Sequence, residues 1–517
     1  MRSIRSIRMR LLFLIMLAPT AVSALPAPVA QAGNYVVTQC SPSNPSAGQA
    51  HWEYSTTNYM PRMRCGVDDG GLQSFHAGEQ SGLYHFGAWV WRAPAGTVFT
   101  SIQANASLTN QAGHQGQLVA TAPEGELVSF GTEHADFREH QIDGEFTQFH
   151  SWLRCLAPGA GRPCGRAADD GAHAYVRGVF LKTEDRATPT LTITGGSLLS
   201  SPVIRGLRGL AFDAHDEGSG IRKVSVVANT SLVLTDIRNC AVIDGFATAL
   251  APCPTTTSES AGVPTTAAGF VTGPNTVTAC VEDLALDGAP NRACEQRQVW
   301  VDNACPASAV GGGASLSAGF GSTGAQKAVV RSDRPGIVRG RIIGVGAGAT
   351  VCALTRVLIA GQATVVGATS TTAADGSYAI ELPPGAGREV FVHYVVGDEV
   401  VSRHGLTLKS SARPTLAVNP RRRVRNHDRL HFTGTLPGPA CFDRLVKVQA
   451  RLGKHRWQVF RTDRTDEACA YSARYKLRAT RKARKYRFRV LVPQQAGYPF
   501  ERGYSATAKV KVGRSRH

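Results

Sequence analysis

The sequence predicts an all-β chain organised as a string of two-sheet sandwiches, and three observations predict it. Short runs of alternating apolar and polar residues recur along the chain, bounded by Gly, Pro and Asp turns. There are 12 cysteines, an even number with no C-x-x-C among them, which suits structural disulfides and gives no support to thioredoxin chemistry or to common zinc-ribbon spacings. The length of 517 residues, at roughly 100 to 150 residues per domain, allows three to five units, each large enough for its own core.

Arg2, Arg5, Arg8 and Arg10 precede an apolar run from Leu11 to Ala18, and Ala30-Gln31-Ala32 offers a small-residue cleavage site. The expectation is a signal peptide over 1–32 with a mature start at Gly33; Val22-Ser23-Ala24 is the alternative site. The apolar run is shorter than the about 20 residues that cross a bilayer, so it reads as a removed leader and not as a transmembrane anchor. A secreted or extracellular protein, loosely associated with a cell surface, follows. In that compartment the cysteines should pair. Pairing sequence neighbours joins Cys40 with Cys65, Cys155 with Cys164, Cys240 with Cys253, Cys280 with Cys294 and Cys441 with Cys469. By elimination Cys305 would meet Cys352, tying two domains together, although sequence leaves connectivity open.

The first unit, 33–187, contains Phe86-Gly87-Ala88-Trp89-Val90-Trp91, where period 2 places Trp89 and Trp91 on one face. Val98 to Ile102 and then Ile102, Ala104, Ala106 and Leu108 continue the pattern, and His173 to Leu181 closes it. A sandwich or jelly roll fits these runs best. The second unit, 188–305, follows the connector around Pro189. Its Asp216-Glu217-Gly218-Ser219-Gly220-Ile221 turn, the late strand ahead of Glu282-Asp283 and the closing Val299-Trp300-Val301-Asp302 resemble a bacterial immunoglobulin-like domain.

Residues 306–326 are rich in Gly, Ser and Ala and read as a linker. In the third unit, 327–410, Thr371-Thr372-Ala373-Ala374-Asp375-Gly376-Ser377-Tyr378-Ala379-Ile380-Glu381-Leu382 resembles the carboxypeptidase regulatory-like, prealbumin-type fold. That resemblance implies a non-catalytic stalk module. Some relatives form Lys-Asn isopeptide bonds, but this segment carries only Lys327 and Lys409 and no Asn, so none is expected. The fourth unit, 411–517, alternates in Tyr486-Arg487-Phe488-Arg489-Val490, one face apolar and the other basic, with a hairpin around Gly453, and resembles an Ig-like module. Together these features resemble secreted actinobacterial-type multidomain surface proteins, with an N-terminal jelly-roll, lectin-like sandwich followed by three Ig-like or prealbumin-like modules.

Charge is concentrated at the end. Residues 411–517 hold 27 Lys+Arg against 6 Asp+Glu, a net of +21, while the whole chain is +19. The rest of the mature chain is therefore slightly acidic. Arginine outnumbers lysine 46 to 11, which reads as codon usage in a GC-rich genome. The terminal field suits an anionic envelope polymer of teichoic type, held by long-range attraction that salt would weaken. Export argues against a physiological nucleic-acid partner. The ending Gly513-Arg514-Ser515-Arg516-His517 offers no sorting motif, and the oligomeric state is open.

Trp52, Trp89, Trp91 and Trp152 are candidates for a sugar-stacking platform, with Trp89 and Trp91 as its ligand-binding pair, although core packing is the simpler reading of all four. Asp143 and Glu145 lie two apart, which on a strand would point both carboxylates to one face as a glycosidase requires. A hairpin turn with solvated carboxylates explains them more simply. The histidines His51, His76, His85, His114, His134, His140, His150 and His173 show no metal-ligand spacing. The acidic turns 213–217 and 282–287 could offer hard oxygen ligands to Ca²⁺ at a domain junction, or be solvated turns. The reading adopted has no catalytic residues, no metal and no cofactor: a non-catalytic surface protein binding carbohydrate or envelope polymer, with a polysaccharide-active glycoside hydrolase as the alternative.

Overall fold

The computed structural model describes residues 33–513 apart from 42–43, 45–48, 67–69, 78–79, 157–163, 166–170, 312–314, 423, 454 and 479–482. The leader expected over 1–32 and the extreme C-terminus lie outside the described residues. Every helix or strand that is described is a β-strand. Among the described residues no helix is long and apolar enough to cross a membrane.

The alternating runs of the first unit form two sheets. In one, Gly33–Gln39 and Leu72–His76 lie along one side of the long strand His173–Asp185, while Thr97–Thr109 lines its other side and carries His134–Phe146 beyond. The second sheet runs His51–Tyr54, Phe86–Arg92, Gln148–Cys155, His114–Thr121, Leu127–Ser129. The inward residues of both, including Tyr35, Val37, Trp91, Phe99, Ile102, Leu108 and Phe149, make one core.

The second unit packs Thr190–Gly195, Leu207–His215 and Thr256–Pro264 against Ser231–Ile237, Ile221–Ala228, Gly273–Asp283 and Arg292–Val301, around Ile193, Leu210, Val226, Val277 and Val301. It is not separate from the first. Its small hairpin of Val242–Ile243 and Phe246–Ala247 joins the first unit's sheet, with Ala247 paired in parallel to Val37. Ala247 and Leu250 enter the first core, and the Tyr35 hydroxyl donates to the Leu250 carbonyl at 2.7 Å.

The third and fourth units share one topology. In the third, Ser315–Phe320, Gly336–Ile343 and Ser377–Leu382 form a small sheet, and Lys327–Arg331 runs parallel to Glu399–Ser411 at the edge of a larger one. In the fourth, Ala417–Asn419, Arg429–Thr435 and Ala470–Lys476 repeat the small sheet, and Val424–Arg425 runs parallel to Ala508–Gly513. A local device recurs as well. Tyr378 crosses its paired Gly340 to donate to the Ser317 carbonyl at 2.6 Å, and Tyr471 crosses Gly434 to donate to the Thr415 carbonyl. A Cβ on either glycine would sit 2.4 Å from the tyrosine oxygen, so any other residue would displace the ring.

The expected linker over 306–326 is corrected by this arrangement. Ser315–Phe320 is a full strand paired with Gly336–Ile343, Phe320 is buried in the third core, and the Val310 carbonyl accepts from the Tyr394 hydroxyl at 2.6 Å. Composition suggested a flexible spacer, but Leu316, Ala318 and Phe320 alternate as a strand's inner face does. Gly319 is small because a Cβ there would lie 2.3 Å from the Gly324 backbone.

Six disulfides join Cys40–Cys65, Cys155–Cys164, Cys240–Cys253, Cys280–Cys294, Cys305–Cys352 and Cys441–Cys469, and no free cysteine remains among the described residues. Cys305–Cys352 staples the end of the second unit to the third, inside a small cluster with Trp300, Leu354 and Phe391.

Candidate functional site

The expected ligand-binding pair faces the wrong way. Trp89 and Trp91 do share a face, but it is the core face: Trp91 is 0% exposed and Trp89 6%. The Trp91 indole donates to Gln39 Oε1 at 2.5 Å, the Trp89 indole to the Gln73 carbonyl at 3.1 Å, and Trp91 stacks on Phe149 at 4.8 Å. Neither ring has a free face for a sugar, so the assignment is withdrawn. The opposite face of the same sheet carries half-buried Trp152 with exposed Tyr84, and the Arg154 guanidinium lies 5.1 to 5.2 Å from both rings.

Asp143 and Glu145 lie within the strand His134–Phe146, not in a hairpin turn. Both are solvent-exposed. Hydrogen bonds from Ser101 and Gln141 hold Asp143 below the usual carboxylate range, and a two-pronged bond from Arg186 (3.0 and 2.8 Å) does the same for Glu145. A general acid needs the opposite shift.

Histidines do meet. His134 and His140 stack at 5.0 Å with Nε2 atoms 3.1 Å apart; their even separation was the signal, since six residues on a strand return to one face. His76 and His114 are buried with ring centres 4.1 Å apart. Burial, with the neighbouring His114, pushes His76 down to about 4, and burial does the same to His150. In the unfolded chain both recover a value near 6.5, so between those limits the unfolded state binds more protons. The first sandwich is expected to lose stability as pH falls from about 6.5 to about 4. The melting temperature of wild type minus that of His76→Phe, measured across this range, should fall with acid; a constant difference would refute the assignment.

At the first junction each acidic turn is solvated except for one carboxylate: Asp213, Glu217 and Asp287 are exposed, while Asp216 and Asp283 are buried. Asp185 ends the first unit's strand His173–Asp185, Asp216 follows Leu207–His215 and Asp283 ends Gly273–Asp283; they are 0%, 1% and 1% exposed. One oxygen from each lies within 4.8 Å of the others. The sequence reading missed Asp185, whose distance in the chain hid it. At the second junction Asp302 and His393 are both fully buried, with Nδ1 2.7 Å from Oδ2. Cys305 lies beside them but is spent in its disulfide, so that trio offers no thiolate for a metal. Nearby, a cleft of about 690 Å³ opens between the second and third units, lined by Val271, Pro274, Leu358 and the Arg356–Glu389 ion pair.

The fourth unit presents the basic face. On its larger sheet Lys511 lies directly opposite Lys485, and Lys509, Arg487 and Arg451 form a row across three strands. Lys485, Arg487, Lys509 and Lys511 are exposed, and none has a carboxylate partner among the described residues. Arg489 lies 4.2 Å from the Trp457 ring centre and 3.9 Å from that of Tyr504.

No family model matches the chain, and no curated protein does. Solved structures that are similar over long stretches include a tetra-tandem repeat from the extending region of a large adhesion protein, at 11% identity and a TM-score of 0.20 over 83% of this chain and 95% of that one. Fibronectin(III)-like modules of Clostridium thermocellum CbhA match at 13% identity and a TM-score of 0.15, over 37% of this chain and 92% of theirs. A marsupial T cell receptor matches at 9% identity and a TM-score of 0.16, over 63% of this chain and all of its own.

Proposed function

We propose that the protein is a secreted, non-catalytic modular surface protein whose terminal sandwich binds anionic envelope polymer. The observation that carries this reading is the cationic row. Like charges placed directly opposite each other on a sheet cost stability, about 0.2–1 kcal/mol per pair. A merely solvated face would gain from interspersed carboxylates, and among the described residues none pairs with Lys485, Arg487, Lys509 or Lys511. Three rows of strands about 4.8 Å apart offer a continuous positive track to a polyanion, needing only the field and no pocket.

The test is salt-dependent binding of the full oxidised chain to a phosphate-bearing glycopolymer, with neutral dextran as control. The variant Lys485→Gln, Arg487→Gln, Lys509→Gln, Lys511→Gln is expected to bind the polyanion at least tenfold more weakly while melting no lower than wild type. Equal binding by the variant would overturn the reading. Carbohydrate recognition by the first sandwich is a second reading, resting on Trp152 and Tyr84 at the solvent side of the sheet. It is read in the same assay as binding to neutral glycan that Trp152→Ala abolishes.

A further inference from the structure

We infer that Asp185, Asp216, Asp283 and Asn291 form a Ca²⁺ site that locks the first sandwich to the second. Three carboxylates from two units are gathered in one buried volume, and no Lys or Arg among the described residues pairs with any of them. Two polar atoms in that volume point to a missing partner. Asp216 Oδ1 and Asn291 Oδ1 are both buried with no hydrogen bond, on residues only 1% and 2% exposed. Asn291 is held beside the cluster by its side-chain amide, which donates to Asp283 Oδ2 at 2.7 Å and to the Asp185 carbonyl at 2.9 Å, and turning that carboxamide over would bring its unpartnered oxygen to the same carboxylate. A buried acceptor without a donor is costly, and a cation satisfies several at once.

The remaining oxygens are already fixed by backbone donors. The Ser219 and Ala187 amides hold Asp185 at 2.6 and 3.0 Å, the Gly220 amide holds Asp216 at 2.7 Å and the Asn291 amide holds Asp283 at 2.8 Å. Gly218 makes the approach possible, since a Cβ there would stand 2.2 Å from Asp185 Oδ1. Carboxylate and carboxamide oxygens are the hard ligands that Ca²⁺ takes, at about 2.3–2.6 Å. Oxygens on opposite sides of such an ion stand up to about 5 Å apart, and one oxygen from each carboxylate lies within 4.8 Å of the others; Mg²⁺ demands near-ideal octahedral geometry and gives up its waters reluctantly, which a buried set already held by backbone amides does not suit. Burial, with mutual repulsion, raises Asp216 to about 6 and Asp283 to about 8, an unfavourable gathering of charge that a bound cation would relieve.

The experiment titrates chelator-stripped, oxidised full-length protein at pH 7.5 with CaCl₂ alone, and separately with MgCl₂, by calorimetry. Hydrogen exchange over 185–187, 216–220 and 283–291 is read in parallel. Expected are one saturable Ca²⁺ event below millimolar, at least tenfold weaker Mg²⁺ binding, and slowed exchange at these segments. Asp216→Asn should weaken Ca²⁺ at least tenfold while melting in chelator no lower than wild type. No calcium heat with wild type, or undiminished affinity in a folded Asp216→Asn, would overturn the site. The polymer-binding face lies in another unit, so either result leaves that reading standing or falling on its own assay.

Discussion

Replacing Asp302 with alanine is expected to destabilise the second and third sandwiches by about 3–5 kcal/mol, the cost of breaking a buried pair by removing one partner. Three donors lose their acceptor at once. His393 Nδ1 donates to Oδ2 at 2.7 Å, and the Ala304 and Cys305 amides donate to Oδ1 at 3.0 and 2.9 Å. Burial alone would push this carboxyl up, but the bonds from His393 and these amides outweigh it and hold it below the usual carboxylate range. Its contribution is therefore present above the ordinary carboxylate range and lost as pH falls through the lowered value. Asp302→Asn, which keeps an oxygen for the amides, should cost clearly less. Calorimetric unfolding of the oxidised chain checks both; an alanine variant that melts with wild type would show that the Cys305–Cys352 staple and the Trp300 cluster carry this junction without the pair.

Trp91→Ala is expected to cost the first sandwich about 3–5 kcal/mol, through lost burial and the cavity left behind. The ring is fully buried against Phe149, and its removal also strands Gln39 Oε1. Gln39 Nε2 is already without a partner, so nothing local replaces the lost bond. Trp91→Phe, which keeps most of the volume but not the N–H donor, should cost about 1–3 kcal/mol, the desolvation penalty of the orphaned oxygen. Thermal unfolding followed by tryptophan fluorescence measures both. A Trp91→Ala protein that keeps its melting temperature but loses glycan binding would reverse the orientation assigned here.

Legibility in the sequence followed distance along the chain. Period-2 alternation at Phe86–Arg92 and Arg484–Val492 specified strands and told which residues share a face, because that geometry is local. It could not say which face met the second sheet, and so Trp89 and Trp91 were assigned to a ligand when they belong to the core. Alternation also outranked composition at Ser315–Phe320, where small residues suggested a spacer and packed as a strand. The shared topology of the third and fourth units escaped notice because it lies in strand order, with little common residue pattern beyond the Gly340–Tyr378 and Gly434–Tyr471 pairs.

By itself the sequence determined the β class, the concentration of positive charge after Ser411 and the cysteine inventory, since each depends on residue type and near-neighbour spacing alone. Tertiary structure decided what the junctions are. Asp185 meets Asp283 across 98 positions of chain, Asp302 meets His393 across 91, and the Val242–Ala247 hairpin joins the sheet of the preceding unit. These encounters are settled by how whole sandwiches pack, and burial then turns ordinary turn carboxylates into groups that must find a proton, a histidine or a cation.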